Sequence, residues 1–286
     1  VSNGFTAFDS DGFSLGSATE NNGSSQTYVG WCWRLNGGTT VSNTTGDINS
    51  TTQASDKTGL SVVTYTGNGS QGQSIGHSLT KAPEMVWFKN YSNASVGGLA
   101  MDWTVALSTA TGSPFASRSG SSQCLALNTT AAIQAFYRTE GNFTPTTSTF
   151  SVPNNGNAPY WFNASGGSYI AYCWHSVEGF SKFGFYEGNG NADGTFVYTG
   201  FRPRMIFVKR TDSSGSWHVF DSARNTYNPV NTYLLWDTGG TDDTASSNAI
   251  DFLSNGFKIR NNAAGLNTSG GDYIYGAWGD VPFKYN

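Results

Sequence analysis

The sequence predicts an all-β chain of tandem β-sandwich or jelly-roll-like domains that arose by internal duplication. The first observation behind this is a phrase that recurs three times, Asn22 to Trp33, Asn163 to Trp174 and Asn267 to Trp278, with Asn, Ser, Tyr and Trp at the same spacing. A period of more than a hundred residues points to duplicated domains and not to a short solenoid repeat. The second is composition: 36 glycines, 15% aromatic and only 12% charged residues favour strands and turns over helices. The third is alternation. Tyr28, Gly30 and Cys32 fall on one face of an extended phrase and Val29, Trp31 and Trp33 on the other, and Tyr169, Ala171 and Cys173 repeat the arrangement. A strand with one narrow and one bulky face is expected to be central and covered on both sides.

Taken in order, residues 1–36 contain only the closing part of a copy. Phe150 lies 91 residues after Gly59 and Phe257 lies 78 after Gly179, whereas the matching Phe13 is only 12 from Val1. With the other copies as template, roughly 65 to 80 residues that would complete this first domain are expected to be missing. Nothing before Gly30 reads as a signal peptide, although the chain starts at Val1 and not at Met. Residues 37–58, rich in Thr and Ser, suit either a linker or an edge strand.

The second copy, 59–175, opens at Gly59 with an alternating strand and reaches Asn68-Gly69; the third, 176–286, does the same from Gly179 to Asn189-Gly190. Asn-Gly after such a strand predicts a tight hairpin. Ala82-Pro83 to Lys89 matches Arg202-Pro203 to Lys209, a buried strand whose closing Lys is expected to reach solvent. Strands beginning near Trp103 and Trp217, then near Phe150 and Phe257, lead into the recurring phrase, giving seven to ten strands per copy. The best short-helix candidates are Ala131 to Phe136 and Ser222 to Asn225.

Several function classes are disfavoured. A net charge of −4 and a pI near 5.3 offer no phosphate-neutralising surface, so no nucleic-acid partner is expected. No apolar run is long enough for a membrane span, and no membrane insertion is expected. Cys32 and Cys173 share a position that Ala277 occupies in the third copy, which reads as a small buried site; with Cys124 unmatched, neither a disulfide framework nor a sulfur metal site is expected. His77 and His175 are isolated.

Ser216, His218 and Asp221 lie close in sequence, but neighbouring strand residues point to opposite faces and no nucleophile elbow accompanies them. Asp9 with Asp11, and Asp242 with Asp243, offer carboxylates for calcium or glycoside hydrolysis, yet both sit in turn sequences that explain them. No catalytic residue, metal site or cofactor is therefore expected. Exposed aromatic rings stack on sugars, and Trp161 and Trp236 are the candidates for ligand binding, with an interface plug as the alternative. Trp33, Trp174 and Trp278 recur at a strand position and are expected in a core.

The phrases FDSDGF at 8–13, VEGFSKFG at 177–184, FVYTGFRP at 196–203, FDSARN at 220–225 and the closing PFKY resemble repeat domains of marine bacteriophage virion proteins, which include tail-fibre and other structural components. The resemblance implies a non-enzymatic virion protein, foremost a tail fibre or receptor-binding component on the outside of the particle. Capsid decoration and a polysaccharide-depolymerising tailspike are the alternatives. Implied partners are other virion proteins, further copies of the chain in a homotrimer, and a host surface glycan or protein. Residues 176–286 hold 20 of the 34 charged side chains. The first 175 residues are accordingly expected to be packed in the oligomer and the last copy to be the more solvated one.

Overall fold

In the computed structural model, residues 4–10, 12–35, 37–92, 95–96, 99–100, 103–118, 124–133, 143–152, 162–244 and 246–280 are described. They form two compact units, Val1–Arg34 and Leu35–Asn286. The fold is all-β and sandwich-like, as its composition predicts. The first unit holds β1 (Phe5–Phe8), β2 (Phe13–Leu15) and a single helical turn, α1 (Thr19–Asn22).

In the second unit, residues 37–58 supply β3 (Val41–Asn43) and β4 (Ser50–Ser55). The second copy contains β5 (Leu60–Thr66), β6 (Ser74–Gly76), β7 (Met85–Asn90), β8 (Ser95–Val96), β9 (Leu99–Ala100), β10 (Thr104–Leu107), β11 (Cys124–Ala126), β12 (Thr149–Ser151) and β13 (Ser168–Trp174). The third contains β14 (Ser181–Glu187), β15 (Phe196–Tyr198), β16 (Met205–Arg210), β17 (Trp217–Asp221), β18 (Thr232–Leu235), β19 (Asp243–Thr244), β20 (Ile250–Leu253), β21 (Gly256–Ile259) and β22 (Asp272–Trp278).

Both copies share one strand order. The large sheet of the second runs β11-β10-β7-β13-β5, and that of the third runs β18-β17-β16-β22-β14. Each is covered on one face by a small sheet, β12-β6 in the second copy and β15-β21-β20 in the third. The Thr- and Ser-rich segment is not a bare linker: β4 pairs with β5 from Leu60 to Tyr65, and β3 forms the edge.

The recurring phrase becomes the central strand in these two copies. β13 lies between β5 and β7, and β22 lies between β14 and β16. Tyr169, Ala171 and Cys173 point into the second copy's core, and Tyr273, Tyr275 and Ala277 into the third's. Where the second copy pairs Ala171 with Val63, the third pairs Tyr275 with Gly184, whose missing side chain leaves room for the ring. The exchange keeps the layer's volume nearly constant, which is the kind of core change that costs least.

The opposite faces of the two large sheets meet each other through rings. Trp87 stands 6.0 Å from Phe207, its counterpart, and Trp174 stands 5.3 Å from Trp278, its counterpart. Equivalent positions meet across the boundary, as they do in an isologous dimer. The second unit is thus layered as small sheet, large sheet, large sheet, small sheet.

Four expectations are corrected. Asn68-Gly69 and Asn189-Gly190 do not make hairpins. The strands on either side lie in different sheets, so each Gly, at φ 77° and 70°, turns a corner between layers. Lys209 does not reach solvent; it is fully buried, because its face of β16 is covered by the other copy. In the first copy, residues 27–33 form no strand and Cys32 is exposed, since no neighbouring strand pairs with them. Of the short-helix candidates, Ser222 to Asn225 is a turn and residues 131–133 are irregular; the rest of Ala131 to Phe136 lies outside the described residues.

Candidate functional site

The Asn of the recurring phrase is a structural clamp. Buried Asn267 accepts from Asn189 N (2.9 Å) and donates to Asn189 Oδ1, Asn191 O and Asn261 O, each at 2.8 Å. Asn163 holds Asn68 and Ser70 in the same way. The Tyr of the phrase is a second clamp. Tyr273 Oη accepts from Thr268 N and donates to Ala264 O, and its ring stacks on Tyr186 at 5.0 Å. Tyr169 stacks on Tyr65 at 5.1 Å. These side chains carry the fold's corners.

Most chemically capable side chains are also engaged internally. His218 Nδ1 donates to Ser216 O, its ring packs against Tyr233 at 5.3 Å and Phe220 at 6.5 Å, and burial depresses its pKa to about 4. Asp221 instead accepts from Ala223 N, Arg224 N and Arg224 Nε, so Ser216, His218 and Asp221 do not assemble as a relay. His77 is buried, accepting from Leu79 N and donating to Thr146 O. His175 Nδ1 donates to Ser176 O, and its Nε2 lies 3.5 Å from Asp56.

The carboxylates separate too. Asp9 accepts from Ser14 Oγ, Asp242 pairs with Arg224 at 2.9 Å, and Asp243 accepts from Tyr233 Oη; Asp11 lies outside the described residues. Among the described residues no group of three His, Cys, Asp or Glu is placed to hold a metal, and no helix is long and apolar enough to cross a membrane. Cys124 and Cys173 are buried and Cys32 is exposed, and no disulfide joins them. Burial pushes the Cys173 thiol well up, away from the reactive thiolate.

Of the two ligand-binding candidates, Trp161 lies outside the described residues. Trp236 is half-buried in the ring layer between the copies, 5.6 Å from Trp87 and 5.4 Å from Phe207, which is the interface-plug arrangement. Beside that layer Lys209 Nζ donates to Gly215 O (2.6 Å) and, across the boundary, to Thr130 O (3.1 Å). Burial lowers its pKa to about 8, with the Asp237 charge opposing. Trp217 Nε1 also crosses, donating to Ala126 O at 2.9 Å.

Two of the aromatics that face solvent lie side by side on β15 and were not among the ligand-binding candidates. On β15, Val197 is buried in the core while Phe196 and Tyr198 point outward, 44% and 64% exposed. Their platform is built by glycines: the Phe196 ring lies over Gly256, and Tyr198 lies against Gly200. Lys258 stands opposite Phe196 in the register. It pairs with Asp193 at 2.7 Å, Asp193 also meets Arg260 at 3.2 Å, and Arg260 reaches Asp251 at 3.4 Å. The hydrogen bond and charge of Lys258 hold the Asp193 carboxyl below its usual range. Two rings beside a fixed row of charges form a flat amphipathic surface, suited to stacking with polar contacts at its margin. The alternation in Phe196-Val197-Tyr198 was the available sequence signal.

No curated protein and no solved structure matches the chain. Residues 1–282 match the family described as "Domain of unknown function (DUF7483)", a span taking in both compact units, and the chain belongs to that family.

Proposed function

We propose that this chain is a non-enzymatic structural component of a bacteriophage virion, a tail-fibre or receptor-binding protein that assembles as a homo-oligomer and meets the host through its third copy. The observation that carries the host-contact part is the outward pair Phe196 and Tyr198 beside the Asp193, Lys258, Arg260 and Asp251 network. It lies in the copy that carries 20 of the 34 charged side chains. The phrases resembling phage virion repeats support the particle assignment, and the strand order common to both copies supports duplication. A surface glycan is the ligand class the platform suits, since rings stack on sugar faces while fixed charges meet hydroxyls.

The test is labelled-antibody electron microscopy of particles joined to a host adsorption assay. The proposal expects label at the tail and adsorption blocked by antiserum against the third copy. Purified protein in which Phe196→Ala and Tyr198→Ala are combined is expected to stop competing with particles for host cells. Label over the capsid would favour decoration, loss of viscosity in a polysaccharide solution would favour a depolymerase, and absence from every particle would end the virion reading.

A further inference from the structure

We propose that the ligand of the β15 platform is an uncharged glycan, and that Asp193 sets this preference by holding the platform's two cations. This deepens the host-contact reading above and rests on it. The register places Phe196, Lys258 and Asp251 in one rung across the outward face of the small sheet, and Tyr198, Gly256 and Leu253 in the next. Directly paired residues share a face, so both rings stand at one end of the rungs with the charges beside the first ring. Tyr91 and Tyr227 are exposed too, but each lies in a loop, whereas Phe196 and Tyr198 are held on one strand with roughly 7 Å between their Cα atoms.

Asp193 is placed by the corner that the recurring Asn builds. Asn267 holds Asn189 and Asn191, Asn189 Nδ2 donates to Asp193 O at 3.1 Å, and Gly194 N donates to Ile259 O at 3.0 Å. The Asp193 carboxylate is thereby set against Lys258 and Arg260, which are two residues apart along extended chain and project from the same face. Both cations meet the same oxygen, Oδ1, and Arg260 Nε also reaches Asp251 Oδ2 at 3.4 Å. Two positive and two negative side chains thus close into a neutral row.

That row discriminates between ligands by charge. A hydroxyl both donates and accepts, and along the row donors alternate with acceptors: Lys258 and Arg260 carry more N–H groups than the carboxylates take, and Asp193 Oδ2 takes neither cation. Neighbouring hydroxyls of a sugar fit this alternation while the sugar's C–H face lies on a ring. A uronate or a sulfated sugar does not fit. Its anion would have to displace Asp193 from both cations, and it would lie beside the Asp193 and Asp251 charges, a like-charge contact that opposes binding. Free cations beside the same rings would accept an acidic sugar; the ties to Asp193 remove that option.

The experiment is fluorescence anisotropy with the purified full chain and labelled oligosaccharides, a neutral set of glucose, galactose and mannose oligomers and an acidic set of glucuronate, mannuronate and sulfated galactose oligomers. The wild type is expected to bind at least one of the neutral set, with little dependence on salt, and none of the acidic set. Tyr198→Ala, alone and combined with Phe196→Ala, is expected to weaken that binding about tenfold or more with the thermal transition unchanged. Asp193→Asn releases Lys258 and Arg260 and is expected to admit the acidic set, with an affinity that falls as salt rises. A wild type that binds acidic and neutral sets alike, or an Asp193→Asn variant still closed to the acidic set, would overturn the charge selection and leave the host contact standing. A wild type that competes with particles for host cells yet binds neither set would overturn the glycan and leave the host contact. A wild type that does neither would overturn both.

Discussion

Phe8 faces Phe13 across the N-terminal hairpin and Phe252 faces Phe257 across β20 and β21, and the likeness continues through the chain that follows each. Asn22 Nδ2 donates to Gly16 O as Asn267 Nδ2 donates to Asn261 O. Gly23 N donates to Tyr28 Oη, and Tyr28 Oη to Thr19 O, just as Thr268, Tyr273 and Ala264 are linked. What differs is everything long-range. Asn267 also clamps the Asn189 corner, Tyr273 also stacks on Tyr186, and residues 272–278 are paired on both sides, whereas residues 27–33 form no strand. Local sequence is sufficient for the turn and the tyrosine latch. The strand forms only where neighbours supply its hydrogen bonds.

The largest effect is expected from removing the Asn of the phrase in each copy. Asn267→Ala strands buried polar atoms at a corner and is expected to cost about 3 kcal/mol in urea melts followed by tryptophan fluorescence. Asn163→Ala acts on the equivalent corner and should cost a similar amount. If either substitution is neutral, the clamp is not what holds the layers together.

Acid acts on both copies, because burial lowers the pKa of His77 in the second and, further, of His218 in the third. His218 is kept neutral in the third copy, with its pKa near 4 against an ordinary value of 6.5. The unfolded chain therefore binds the proton first as pH falls. The stability this gives is present above pH 6.5 and is lost between there and pH 4, about 3 kcal/mol in all. Urea midpoints at neutral pH and at pH 4, with and without His218→Phe, measure that histidine's share of the acid loss.

Alkali probes the boundary between the copies. Lys209, with its pKa lowered from 10.5 to about 8, is deprotonated in the fold before it is in the unfolded chain. Its contribution makes stability rise with pH across that window, by about 2 kcal/mol between neutrality and pH 9.5. Buried tyrosines such as Tyr65 and Tyr186, whose hydroxyls burial pushes well up, reverse the trend above pH 10. Lys209→Met should flatten the rise, and an unchanged rise would mean that another group is responsible. The smallest effect belongs to Asn22→Ala. Among the described residues its side chain donates locally, to Gly16 O, so the urea midpoint of the larger unit should not move.

The sequence made the β class and the buried Cys173 position readable, because each depends on composition or on alternation within one strand. It also argued against a relay of Ser216, His218 and Asp221, since strand alternation is a local property. Lys209 and Trp236 were misplaced or left open for a common reason: a side chain on the far face of a large sheet meets the other copy, and nothing within its own strand records that. The Asn-Gly corners were taken for hairpins because turn chemistry reports the bend but not which sheet the next strand joins. The platform at Phe196 and Tyr198 was legible in alternation, but only the sheet's placement shows which side is outward.

The same phrase is thus a paired strand at 168–174 and 272–278 and an open segment at 27–33. Hydrogen exchange on the full chain, resolved by peptide, tests this most directly. Amides in residues 28–33 should exchange orders of magnitude faster than those in 169–174 and 273–278. Comparable protection in all three segments would contradict it, because residues 28–33 would then be paired in solution as the other two are.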